Sequence, residues 1–154
     1  MGPGLASAQG PQQHEGYRKG CDVRSIRVNP GAVATPRGYA HAVRTETAEA
    51  VWIHVAGQIA LDTSGAMVGV GDLRRQTEQV YENLAAILEA NGASFADVVK
   101  MTTFLTTLDG LEGMREVRSR YLGEDPPAST AVQVVALVIP DGLIEVDLVA
   151  VVPA

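Results

Sequence analysis

The chain has 154 residues, 46% hydrophobic and 19% charged, enough for one domain whose core needs no disulfide or metal. Its formal net charge of -6, from 12 Lys plus Arg against 18 Asp plus Glu, argues against a phosphate-binding surface and so against a nucleic-acid partner. No apolar run reaches the roughly 18 residues that span a membrane, the single cysteine has no internal partner, and no Cys/His cluster has metal-ligand spacing; a cytoplasmic protein without cofactor is expected.

Residues up to about Ile26 are rich in Gly, Gln, Pro, Ser and charge, with too few apolar side chains at any period to bury themselves. We read 1–29 as a loosely ordered extension and 30–154 as the single domain. The basic start and apolar stretch of a signal peptide are missing. Cys21 lies in the extension, which argues against a nucleophilic role.

Structured patterning begins at Gly38. Residues 39–45 (YAHAVRT) and 51–60 (VWIHVAGQIA) read as two strands joined by a polar turn. Val51, Ile53, Val55 and Ile59 share one face, and Trp52, His54, Ala56 and Gln58 the other. Gly57 interrupts the second strand, the mark of a bulge or of something approaching the backbone closely. His41 and His54 are candidates to face a ligand or simply solvent.

A helix opens at Asp72. Leu73, Thr77, Val80, Tyr81, Leu84, Ile87 and Leu88 recur at helical spacing, and Asn91-Gly92 supplies a left-handed stop. Residues 98–106 (VVKMTTFLT) form a third strand. Asp109-Gly110-Leu111-Glu112 then has the spacing of a capping box opening a second helix through Tyr121.

The stretch 126–151 reads as two more strands. Residues 130–138 are dense in β-branched side chains and end at Ile139-Pro140-Asp141-Gly142, a turn in which Pro fixes φ and Gly permits a positive one. Beyond it Ile144, Val146, Leu148 and Ala150 share one face, with Glu145 and Asp147 on the other beside Leu143, Val149 and Val151. Carboxylates in such surroundings either meet solvent or a partner, or are pushed up in pKa by desolvation.

Strands and helices in the order β, β, α, β, α, β, β suggest an α+β sandwich of two layers, one mixed sheet with both helices on one face. The strands offer more apolar surface than two helices cover, so the other face is expected to close by oligomerisation.

Taken together, GYAHAV, VAGQIALD, QTEQVYENLAAILEANGASFADVVKMTTFLTTL, PPAST and IEVDLVAV resemble the RidA (YjgF) family in order and spacing over nearly all of residues 30–154. The resemblance implies a chorismate-mutase-like fold with a mixed sheet of the six-stranded type, a homotrimeric barrel with helices outside, and small-molecule clefts between subunits. It also implies hydrolysis of reactive enamines or imines. Glu145 matches the glutamate that positions or activates water, Tyr39 a tyrosine lining the cleft, and Gly57 a glycine whose backbone meets the ligand. Asp109 stands where relatives often carry Asn, and Ala56 where they often carry Ser.

Family members that deaminate 2-iminoacids read Pro-Ala-Arg-Ser-Cys-Val where this chain reads Pro127-Ala128-Ser129-Thr130-Ala131-Val132. Ser129 replaces the arginine that would clamp a substrate carboxylate, and Ala131 the cysteine. Losing such a charge pair costs roughly 2 to 5 kcal/mol in carboxylate binding. Ser129, Thr130 and Ala131 are then expected to line the cleft rather than react. A biosynthetic tailoring enzyme (cyclisation, decarboxylation or dehydration) and a non-catalytic ligand-binding trimer stay open beside enamine or imine chemistry. Arg37 and Arg44, nearest to Tyr39 in sequence, are candidates to replace the missing cation.

Overall fold

Ile144, Val146, Leu148 and Ala150 are fully buried, while Glu145, Asp147, Val149 and Val151 between them are only partly so. This is the two-residue period of a strand with one covered face. That strand, β7 (Ile144–Pro153), lies inside the sheet. The computed structural model describes Gly16–Tyr17 and residues 23–154; Cys21 and most of the expected extension fall outside them. Preceding β7 are β1 (Gly16–Tyr17), β2 (Arg24–Val28), β3 (Ala42–Glu46), β4 (Ala50–Gln58), α1 (Leu73–Ala90), β5 (Val98–Leu105), α2 (Leu111–Leu122) and β6 (Ala128–Gln133). The sheet order is β1-β2-β3-β4-β7-β5-β6, antiparallel except for the parallel pair β5 and β6.

The stripe expected on α1 is buried in full: Leu73, Thr77, Val80, Tyr81, Leu84, Ile87 and Leu88. Together with Val51, Ile53 and Val55 of β4, Met101 and Leu105 of β5, and the inward residues of β7, it builds the core. Each such aliphatic side chain contributes about 1.5–3 kcal/mol by leaving water. α2 lies beside α1, tied by the Arg74–Glu116 ion pair at 2.7 Å and by the Tyr81 and Tyr121 rings, whose centroids are 5.1 Å apart. The result is an α+β fold with a mixed sheet and two helices. Among the described residues no helix is long and apolar enough to cross a membrane.

Asp72 caps α1 as its position in sequence suggests: its Oδ1 accepts the Arg75 N–H at 3.0 Å. Asp72→Ala is expected to cost about 1 kcal/mol. Calorimetry should register this as a fall in Tm of about 2–4 °C for a chain of this size.

Several expectations need correction. Arg24–Val28, assigned above to the extension, form β2 and pair with β3; with Arg at both exposed positions the segment reads as polar, yet Ile26 and Val28 are partly covered. The strand expected over 130–138 stops at Gln133, and no hairpin joins it to the next. Instead β6 adds in parallel to β5 at the sheet edge, and β7 inserts between β4 and β5. Positive φ in the 139–142 turn falls on Asp141 (64°) rather than Gly142. Asp109 forms no capping box; the cap of α2 is Gly110 at φ 82°, without a side-chain bond. Gln58 is buried rather than facing outward with Trp52 and His54, because the register slips between Val55 and Gln58, and each such slip reverses the side chains that follow.

One buried polar side chain prepares the site. Gln76 Nε2 donates to Asp141 O at 2.7 Å and Gly69 O at 3.2 Å, and its Oε1 accepts the Leu143 N–H at 2.7 Å. A side chain of α1 thereby fixes the turn from which β7 starts.

Candidate functional site

Glu145 is the first outward-facing residue of β7, on the face the helices leave uncovered. Its neighbour across the ladder on β5 is Phe104, and beyond Phe104 on β6 stands Val132. On the β4 side is the bulge at Gly57. A Cβ on Gly57 would collide with the Glu145 carboxylate, coming within 2.8 Å of its Cδ and 3.0 Å of its Cγ. Glycine is thus the residue that leaves room for the carboxylate there.

Burial first, and the Asp147 carboxylate two residues on second, push the Glu145 carboxyl above its usual range. The Tyr39 phenol is pushed up too, by its own burial and then by Glu145. Tyr39 therefore senses the Glu145 carboxylate, although it remains half exposed. Glu145, Phe104, Val134, Ala136, Leu137 and Val138 line an open cleft of about 180 Å³. A carboxyl held above its ordinary range beside a tyrosine hydroxyl can pass a proton to or from water or a ligand.

The other expected site residues are spread over the fold. Thr130 pairs with Thr102, which pairs with Asp147, so it is on the Glu145 face one row away, and its Oγ1 accepts from Lys100 Nζ at 2.7 Å. Ser129 and Ala131 pair with Met101 and Thr103, both buried toward the helices; strand alternation turns them from the Glu145 face. Asp109 lines a separate hollow with Gly71, Asp72, Leu73, Arg74, Gly110 and Gly113.

Arg44 does not reach Glu145: it pairs across the ladder with inward-facing Ile53 and bonds Glu46 at 2.7 Å and Asn91 O at 2.6 Å. Arg37 is exposed. His54 stands exposed on the open face, whereas His41 is buried and hydrogen-bonded to Ala34 O and Gln58.

Phe104 and the 134–138 segment were not among the expected site residues. The alternation of VVKMTTFL, with Met101, Thr103 and Leu105 inward, would have put Phe104 outward beside Glu145 had β5 and β7 been recognised as neighbours. Among the described residues no group of three or more His, Cys, Asp or Glu is placed to hold a metal ion.

Comparison with known proteins bears on this geometry. The family model described as Endoribonuclease L-PSP matches residues 30–152. A RutC family protein of Pyrococcus abyssi is 46% identical over 99 residues, 64% of this chain and 77% of the relative. The human 2-iminobutanoate/2-iminopropanoate deaminase is 32% identical over 130 residues, 84% of this chain and 88% of the relative. Among solved structures, RidA from a Psychrobacter species superposes with a TM-score of 0.73 at 31% identity, covering 81% of this chain and 98% of that one. TdcF of E. coli, determined with bound serine, gives 0.70 at 28% identity, covering 81% and 97%. By sequence and by fold, this chain belongs to the Endoribonuclease L-PSP (RidA/YjgF) family.

Proposed function

We propose that the protein hydrolyses or tautomerises a small reactive enamine or imine lacking an α-carboxylate, in a cleft completed by a neighbouring subunit of a homotrimer. The observation that carries this reading is the Glu145 carboxylate lodged over Gly57 with its pKa raised. In the hydrolysis, Glu145 takes a proton from water as the oxygen attacks the imine carbon. Glu145 passes that proton to nitrogen, giving the carbinolamine. It then takes the carbinolamine hydroxyl proton and delivers it to nitrogen as the C–N bond breaks, releasing a carbonyl compound and ammonia, with the Tyr39 hydroxyl orienting the nitrogen and keeping its own proton. No cofactor enters these steps.

Relatives named as 2-iminobutanoate/2-iminopropanoate deaminases support the reaction type. The lining of the Glu145 cleft, which among the described residues includes no Lys or Arg, and the commitment of Arg44 to Glu46 and Asn91 support a substrate without a carboxylate. Ammonia release from freshly generated imines tests both parts. Neutral imines should turn over and 2-aminoacrylate only poorly; efficient use of 2-aminoacrylate would restore the 2-iminoacid deaminase, and release from no imine would remove hydrolysis.

A trimer is supported by the apolar character of the open side, where Trp52 and Val132 are exposed, Val132 beside Phe104. Sedimentation equilibrium should give three times the chain mass; a monomer at micromolar concentration would contradict it.

A further inference from the structure

We infer that His41 is the positioning residue of this site, its backbone and ring together holding the Gly57 bulge and the Tyr39 ring against the Glu145 carboxylate. The inference rests on Glu145 being the acting group.

His41 is only 3% exposed, and each of its polar atoms is engaged. Its backbone N–H donates to Asn29 Oδ1 at 2.8 Å, and its carbonyl accepts the Ala56 N–H at 2.9 Å. Ring Nε2 lies 2.7 Å from Ala34 O. A carbonyl only accepts, so Nε2 carries the proton and Nδ1 is left as an acceptor. Nδ1 then takes a hydrogen from Gln58 Nε2 at 3.2 Å. That amide nitrogen of Gln58 also reaches Ala56 O at 2.9 Å and Gly57 O at 3.3 Å, and these two carbonyls require the nitrogen end of the amide at that place.

His41 therefore grips the residue before Gly57 through its backbone and the residue after it through its ring. On its other side the Tyr39 ring stands edge-on, centroids 5.4 Å apart at 84°. Leucine would fill the same volume without the cost of burying a polar ring. What leucine cannot do is donate to the Ala34 carbonyl and accept from Gln58 at once. Glutamine could bridge both, since it offers a donor and an acceptor.

The test compares the full chain with His41→Leu, His41→Gln and Gln58→Met. Two readouts are needed: titration of the Tyr39 phenol, followed by NMR in protein labelled with carbon-13 tyrosine, and turnover of a neutral imine. In His41→Leu and Gln58→Met the phenol should titrate lower, toward ordinary tyrosine, as Tyr39 loses its partial burial and leaves Glu145. Their kcat should fall about 10- to 100-fold with KM nearly unchanged, the scale of a misplacement near 1 Å. His41→Gln should retain both properties.

A folded Leu or Met variant with the Tyr39 titration and kcat unchanged overturns the inference, and Gln58→Met decides if His41→Leu does not fold. A Tyr39 titration that follows the variants in a protein without imine turnover leaves the positioning role intact and removes the hydrolytic reading. Turnover indifferent to all three substitutions does the reverse.

Discussion

Glu145→Gln is expected to lower imine turnover about 10²- to 10⁴-fold, the contribution of a positioned general base, without loosening the fold. Glutamine keeps the size and the half-buried position over Gly57 and loses only the ability to take a proton. Stability should move the other way. Burial and Asp147 raise the folded-state pKa of Glu145 above its unfolded value, so the native state holds that proton more tightly. Its contribution to stability is complete below the unfolded pKa and is lost as pH rises through the folded one. Above the folded-state pKa the wild type has lost it, whereas the amide of the variant does not titrate. Calorimetry should find Glu145→Gln at least as stable as wild type at pH 7, with any advantage shrinking in acid. A variant that turns over normally, or that melts far below wild type at pH 7, would remove Glu145 from the role assigned to it.

Gly57→Ala is expected to separate activity from stability still more sharply. The added methyl group would stand where the Glu145 carboxylate now lies, so carboxylate and bulge cannot both stay. The oxygen in the way is the far end of a flexible side chain, which can rotate toward the open cleft. The fold should lose only about 1 kcal/mol, the low end of overpacking costs. Turnover should fall about 100-fold, because a displacement near 1 Å suffices for that. Parallel calorimetry and imine assays check the split. Full activity in Gly57→Ala would mean that the carboxylate need not sit at the bulge.

How much of this was legible in sequence follows from how local each signal is. The α1 stripe and the alternation of β7 are set by neighbours within a few residues, and both were readable, Glu145 with them. The place of β7 between β4 and β5, and the parallel addition of β6, depend on pairings across tens of residues that no local period encodes. For that reason Phe104 went unseen, and the registration of the exposed Ser129 and Ala131 with Met101 and Thr103, away from the Glu145 face, could not be anticipated. Gly57 was readable as an interruption, but its effect on Gln58 was not: the bulge turns that side chain inward to His41, reversing the simple alternation. Asp109 satisfied a capping pattern that the αL conformation of Gly110 made unnecessary.

The most direct measurement follows the Glu145 carboxyl by carbon-13 NMR through a pH titration and sets it beside the acid limb of kcat/KM for a neutral imine. The two curves are expected to share one midpoint above the ordinary carboxylate range, and the limb should be absent from the residual activity of Glu145→Gln. An acid limb that persists in that variant, or that lies well away from the Glu145 titration, would contradict Glu145 as the base.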